Sequence, residues 1–191
     1  DLHLAQAGAQ VVDLEALAAH RGSVFGAMAG GQPPQKLFES RLAMQLARLD
    51  PARPVFVEAE STKVGARILP PSLWAAMKRA AHVRLEAPVA ERAAYLARAY
   101  GDLTADRGAL GGVLEKLVPY HGRARVEAWQ ALAAEGAFVE LAGALVEAHY
   151  DPRYAKSAAR RGAPLMSERL DRLDAEGFAQ AARRIVEAAG C

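Results

Sequence analysis

Apolar and polar positions change their period near the middle of the chain. In the first half, short apolar runs end abruptly in polar residues: Val11 and Val12 run into Asp13 and Glu15, and Val55-Phe56-Val57 runs into Glu58, Glu60, Ser61 and Lys63. Short β-branched runs bounded by turn residues predict buried strands, here over residues 9–13 and 55–58, with a third over 82–85. Between them, helical spacing predicts a helix over about 36–49, where Leu37, Phe38, Leu42, Leu46 and Leu49 face a core behind Pro33 and Pro34, and another over about 72–80. Strands alternating with helices predict a parallel sheet with covering helices. From Pro88 onward the pattern offers no further strand, only amphipathic stretches at about 91–100, 109–118, 125–135, 138–149 and 175–189, separated by breaks at Gly101, Gly122, Gly136 and Gly162. The expected fold class is therefore α/β: a parallel sheet within residues 1–87, then a mainly α-helical part, 88–191, packed on it.

Composition bounds the function. The 191 residues, 52% of them hydrophobic, suffice for one sizeable domain, or for a domain core with an appended helical part. A formal net charge of +2, from 24 basic and 22 acidic residues, does not by itself announce nucleic-acid binding. Local charge is more telling. Arg153, Lys156, Arg160 and Arg161 interleave with Tyr150 and Tyr154, a mixture that suits a phosphate backbone and stacked bases as well as it suits a solvated helix face. The single Cys191 excludes an internal disulfide and a cysteine-rich metal site, fits a reducing cytoplasm, and at the chain end reads as incidental. No apolar run reaches the length of a membrane span and no signal peptide is visible, so a cytoplasmic protein without a membrane partner is expected.

The chemistry concentrates where the predicted strands end. In open parallel sheets, ligands bind at the carboxyl edge, and that edge receives Asp13 and Glu15, followed by the His20-Arg21-Gly22-Ser23 turn, which suits an anion. The second strand, ending in Glu58-Ala59-Glu60-Ser61-Thr62-Lys63, resembles a Walker B strand. A terminal acid there holds a metal or a water beside phosphate, and a nearby cation offsets the developing charge. Either strand taken alone is equally a surface strand terminus. The His149-Tyr150-Asp151-Pro152 segment lacks the further spaced ligands of a metal centre, and no metal site is expected there.

Several ordered motifs together carry a resemblance over most of the chain. Val12-Asp13-Leu14-Glu15 is followed by His20-Arg21-Gly22-Ser23 and Phe25-Gly26, then by Gln32-Pro33-Pro34-Gln35 with Phe38-Glu39. Further on come Val57-Glu58-Ala59-Glu60-Ser61 with Lys63-Val64-Gly65 and Leu69-Pro70, and His149-Tyr150-Asp151-Pro152 with Tyr154 and Ser157. In these motifs the chain resembles the C-terminal region of the bacterial tRNA 2-selenouridine synthase family. The resemblance implies an N-terminal rhodanese-like domain with a catalytic cysteine, followed by a P-loop domain. No Gly-x-x-x-x-Gly-Lys-Ser/Thr occurs in the sequence, and residues 1–10 read as the helix that follows such a loop. The expectation is a P-loop NTPase-like sheet incomplete at its N-terminus, without the rhodanese-like domain and inactive alone. The implied chemistry is S-geranylation of wobble 2-thiouridine in tRNA by geranyl diphosphate, then replacement of the geranylthio group by selenium from selenophosphate. An enzyme supplying selenophosphate is the implied further partner, and a metal requirement is left open.

Within that frame Arg21 and Lys63 take the anion-binding roles, because a guanidinium grips phosphate oxygens in pairs and an ammonium adds a point charge. His20 and Glu58 are the candidates for proton transfer or for orienting a metal-bound water; His20 suits capping of the preceding helix equally, and Glu58 can instead pair with Lys63. Asp13, Glu15, Ser23, Gln35, Glu60, Ser61 and Arg67 form a second tier of substrate or phosphate contacts, Gln35 being suited either to the uracil edge or to a helix cap. Tyr150 and Tyr154 are placed to stack on tRNA, with Arg153, Lys156 and Arg160 on its phosphates. Two other functions compete: a P-loop nucleotide kinase or hydrolase, and a noncatalytic RNA-binding module.

Overall fold

The computed structural model describes residues 1–59, 61–159 and 161–190. The elements in chain order are α1 (Leu2–Gln6), β1 (Gln10–Val12), α2 (Leu14–Ala18), α3 (Gln35–Leu46), β2 (Val55–Val57), β3 (Lys63–Val64), β4 (Arg67–Ile68), α4 (Pro71–Arg79) and β5 (Val83–Glu86). They continue with α5 (Val89–Ala99), α6 (Gly101–Ala105), α7 (Arg107–Glu115), α8 (Val118–His121), α9 (Arg123–Glu135), α10 (Phe138–Leu145), a π-helical turn (Val146–Tyr150), α11 (Asp151–Ala158), β6 (Met166–Arg169) and α12 (Ala175–Ala188). Two compact units divide the chain: Asp1–Leu85 with Pro164–Glu168 and Ala175–Cys191, and Glu86–Ala163 with Arg169–Asp174.

In the first unit the strands over 9–13 and 55–58 form as β1 and β2 and pair in parallel, Gln10 with Val55, Val11 with Phe56 and Val12 with Val57. Their core combines Val12, Leu14, Ala18, Phe38, Leu42, Val64 and Leu69, with Leu17, Leu49, Val57, Leu73 and Met77 against it. The helix α3 buries Phe38 and Leu42, whereas Leu37 and Leu46 stand 41% and 38% exposed. Their expected place in the core is thus corrected. The buried stripe runs 38, 42, 45, 49, and its polar member, Gln45, sends its amide to the Val11 carbonyl at 2.9 Å, tying α3 to β1.

A short antiparallel hairpin, β3 with β4, packs beside this core, pairing Lys63 with Ile68 and Val64 with Arg67 around Gly65. Two glutamines clasp it. Gln32 donates to the carbonyls of Ala18 and Val64, both at 3.0 Å, and accepts from Ala66 N at 2.7 Å. Gln35 accepts from Ile68 N at 3.0 Å and donates to Ile68 O and Glu39 at 2.8 Å. Gln35 therefore fastens α3 to β4, and its amide is engaged by backbone instead of helix capping.

The third expected strand forms as β5 but pairs with β6, in a segment where only helix was expected. The sequence hides β6 because its inward-facing residue is charged: Glu168 is 7% exposed and meets the Arg184 guanidinium of α12. Burial alternates along Met166-Ser167-Glu168-Arg169, but hydrophobicity does not. The α12 helix buries Ala181, Ala182, Ile185 and Val186, and its Phe178 stacks on His3 of α1 at 5.5 Å.

The second unit is helical. Asp106 caps α7 by accepting from Ala109 N at 2.9 Å, and Gly136, in the left-handed region, ends α9. Leu110, Leu114, Leu117, Val126, Trp129, Leu141, Leu145 and Val146 are buried. Arg92 of α5 grips Asp151 at the start of α11 through two bonds of 2.6 and 2.8 Å.

Replacing Gln32 by Ala leaves the Ala18 and Val64 carbonyls and the Ala66 N–H without their partner. The expected loss is about 1–3 kcal/mol in urea unfolding, and a change within error of zero would show that the clasp is not needed to hold the hairpin.

Candidate functional site

The two parallel strands end at Asp13 and Glu58, and both acids turn onto the start of α2. Asp13 is its N-cap and accepts from Ala16 N at 2.7 Å. Glu58 reaches across from the end of β2, its two oxygens accepting from Leu14 N at 2.9 Å and Glu15 N at 3.4 Å. The orphan amides of the first turn of α2, which elsewhere receive phosphate, here already hold carboxylates. Burial pushes the Glu58 carboxyl up to about 7, the neighbouring Asp13 adding to the rise and the bond from Leu14 N opposing it. Glu58 is therefore poised to take or release a proton near neutrality. Oxygens of Asp1, Asp13 and Glu58 lie within 4.8 Å of one another, a set of hard ligands that could hold a divalent cation.

The turn after α2 holds His20 in a tight fit. Ala19, at φ 48°, ends the helix in the left-handed region, so the helix stop is made by Ala19 and the His20 side chain is not its cap. Backbone bonds close the loop, with Arg21 N donating to Gly26 O at 2.9 Å and an isolated bridge between His20 and Ala27. Gly22 N donates to His20 Nδ1 at 3.1 Å. An accepting Nδ1 puts the proton of the neutral ring on Nε2. Burial holds the ring below its ordinary pKa of 6.5. A methyl on Gly26 would lie 2.9 Å from the ring, and one on Gly65, at φ +58°, would lie 2.7 Å from it. Only glycine at both positions lets the β3–β4 hairpin and the loop close on the imidazole.

The remaining expected residues distribute unevenly around these two features. Arg21 and Glu15 are half-buried on the same segment, and Ser23 Oγ accepts from Phe25 N at 3.2 Å, shaping the turn. Lys63 is exposed on β3, and the Ser61 hydroxyl is occupied by it, accepting from Lys63 N at 3.2 Å and donating to Lys63 O at 3.0 Å. Arg67, on β4, has a buried Nε with no hydrogen-bond partner among the described residues. Glu60, Arg160 and Cys191 lie outside the described residues.

In the helical unit the buried His149, 4% exposed, sits in the π-helical turn and shares a 2.8 Å hydrogen bond with His121. Burial, together with the positive charges of Arg153 and His121, pushes His149 down to about 4. Tyr120 and Tyr150 both set His149 edge-on, at 6.3 and 5.0 Å, Tyr154 stacks on Tyr150 at 6.3 Å, and Arg153 lies over the Tyr120 ring at 4.7 Å. Sequence reasoning missed Tyr120, His121 and Gln32. The first two lie about 30 residues before their partners, a separation no local pattern reveals; Gln32 was visible only as part of a motif.

These features define an α/β protein whose polar residues gather at the carboxyl ends of parallel strands, and comparison with known proteins sharpens that class. Residues 2–116 match the family model described as tRNA 2-selenouridine synthase AAA domain, and the chain belongs to that family. Proteins named tRNA 2-selenouridine synthase are among its relatives: one from Nitrosomonas europaea is 41% identical over 85 residues, covering 43% of this chain and 22% of that protein. One from Cupriavidus pinatubonensis is 44% identical over 91 residues, 47% of this chain and 25% of that protein. One from Pseudomonas fluorescens is 35% identical over 178 residues, 79% of this chain and 48% of that protein. The chain thus spans between about a fifth and a half of the length of these relatives. No solved structure matches it.

Two pH responses of opposite sign follow. Glu58 holds in the folded chain a proton that an ordinary carboxyl of pKa 4.5 releases, so its contribution to stability falls as pH rises from about 4.5 to about 7. Glu58→Gln should flatten that fall in pH-dependent unfolding, and an unchanged slope would contradict the raised pKa. His149, neutral in the fold and ordinarily titrating at 6.5, contributes stability that is lost as pH falls from about 6.5 towards 4. Amide protection in α8 to α10, corrected for intrinsic exchange, should weaken over that interval; constant protection would refute it.

Proposed function

We propose that this chain is part of a tRNA 2-selenouridine synthase that acts on wobble 2-thiouridine, using geranyl diphosphate and then selenophosphate. The observation that carries the proposal is the match of residues 2–116 to that family's AAA domain, joined to strand-end carboxylates that hold the start of α2 and a caged neutral histidine just after its end. On this reading residues 1–87 are a P-loop NTPase-like α/β core that handles phosphate, and residues 88–191 contribute the tRNA contact. The enzyme works in the cytoplasm with its tRNA, a rhodanese-like domain belongs to the whole protein, and a selenophosphate-producing enzyme supplies its selenium.

The roles follow from charge and protonation. In the first step the uridine sulfur attacks the allylic carbon of geranyl diphosphate, the carbon–oxygen bond breaks, and diphosphate leaves with the negative charge. Arg21 and Lys63 are assigned to that anion, with Ser23 and Arg67 as further donors, while Ser61, whose hydroxyl donates to Lys63 O, holds the Lys63 backbone in place. In the second step the selenium of selenophosphate bonds to carbon 2, the carbon–sulfur bond breaks so that geranylthiolate departs, and water then cleaves the selenium–phosphorus bond and releases phosphate. Glu58, with a pKa near neutrality to which the neighbouring Asp13 adds, suits protonation of a departing group, and Asp13 and Glu15 are assigned to the substrate beside it. His20, with its proton on Nε2, suits hydrogen-bond donation to an anion better than proton abstraction. Tyr150, Arg153, Tyr154, Lys156 and Arg160 are assigned to tRNA.

Removing the Arg21 guanidinium tests the assignment. In the full-length protein carrying this sequence, Arg21→Ala should weaken geranyl diphosphate binding roughly 10- to 100-fold by calorimetry, with the circular dichroism spectrum unchanged. Wild-type affinity in that variant would sink the anion role.

A further inference from the structure

The cluster around His149 is more ordered than a solvated basic helix requires. Tyr120 and Tyr154 are 65% and 66% exposed, and each is half of a stacked pair: Arg153 lies on the Tyr120 ring at 4.7 Å, and Tyr154 lies on Tyr150 with planes 22° apart. Both pairs are braced from beneath by one buried ring, since His149 meets Tyr120 and Tyr150 edge-on. His149 is itself fixed by its 2.8 Å bond to His121, whose ring packs against buried Trp129 at 5.0 Å. The π-helical turn Val146–Tyr150 makes the junction: it adds a residue to the winding ahead of α11, which carries Arg153, Tyr154 and Lys156.

Charge selects the occupant. Asp151, the acid of α11, is bound in both oxygens by Arg92, so its charge is matched there and not by Arg153 and Lys156, while Arg125 lies near enough for its charge, with that of Arg153, to oppose protonation of His121. Exposed planar groups held flat among cations suit unpaired bases joined by phosphates. A paired stem offers its phosphates but not its base faces.

We propose that Arg153 pinned on Tyr120, and Tyr154 pinned on Tyr150, form two stacking shelves for unpaired bases of a single-stranded RNA loop. The inference rests on the tRNA reading above and deepens it: it directs this surface to a loop instead of a stem, and it assigns Tyr120 as the residue that positions the Arg153 guanidinium. Tyr150 and His149 brace the shelves from within.

The test uses the 191-residue chain with a labelled anticodon stem-loop and a fully paired duplex of the same length. The wild-type chain should prefer the stem-loop. Arg153→Lys, which keeps the charge and loses the plane, and Tyr120→Leu should each weaken stem-loop binding roughly 5- to 100-fold. Duplex affinity, melting temperature and the salt dependence of binding should stay as in the wild type. Tyr120→Phe, which keeps the ring, should bind as the wild type does. Undiminished stem-loop binding in Arg153→Lys and Tyr120→Leu, or an equal loss on the duplex, overturns the stacking shelves and leaves the tRNA reading standing. Failure of the wild-type chain to bind either RNA overturns the tRNA contact itself.

Discussion

The reach of Glu58 from the end of β2 to the start of α2 is the constraint on which the first unit depends. Its carboxylate oxygens accept Leu14 N and Glu15 N, while Asp13 accepts Ala16 N. One helix start is thereby sewn to two strand ends. Helix N-termini favour negative charge, which makes the arrangement favourable for α2, yet burial and the nearness of Asp13 hold Glu58 at a pKa of about 7. The same contact that fixes the fold therefore leaves a group able to exchange a proton near neutral pH. Because carboxylates occupy the amides of α2, those amides are not open to an incoming anion.

The turn after α2 is rigid for steric reasons. The imidazole fills the space that Cβ atoms on Gly26 and Gly65 would take, and Gln32 stitches the α2 end, the hairpin and Ala66 together. A ring so enclosed, with Nδ1 occupied by Gly22 N, presents one tautomer. The second unit uses a histidine in the same neutral state for a different end: His149 is buried beneath exposed Tyr120 and half-buried Tyr150, within reach of the Arg153 charge, where a charge would be expensive.

Much of the architecture was legible in the sequence because hydrophobic period carries it. The strands at β1, β2 and β5 and the helices α3, α4, α5, α7, α9, α10 and α12 lie where apolar spacing predicts them. What escaped did so where a polar group takes a buried or joining position. Glu168 makes the inward face of β6 look like solvent-facing sequence, and Gln45 interrupts the apolar stripe of α3, which misdirected Leu37 and Leu46 to the core. In the candidate site, the strand-end acids were visible as residues but not as a helix clamp, since that contact joins positions 44 residues apart. Gln35, Ser23 and Ser61 were read for ligand contact, and each is hydrogen-bonded to the backbone around it. Tyr120 carries no local signal at all; its meaning comes from Arg153, brought to it by the π-helical turn.

On the proposed function, this sequence belongs to an enzyme that exchanges sulfur for selenium in tRNA by way of a geranylated intermediate. The most direct test of that function is nucleoside mass spectrometry of 2-thiouridine-containing tRNA incubated with geranyl diphosphate, and then with selenophosphate, in the presence of the full-length protein carrying this sequence. The account predicts a geranylthiouridine after the first addition and selenouridine after the second. Unaltered 2-thiouridine after both additions would contradict it.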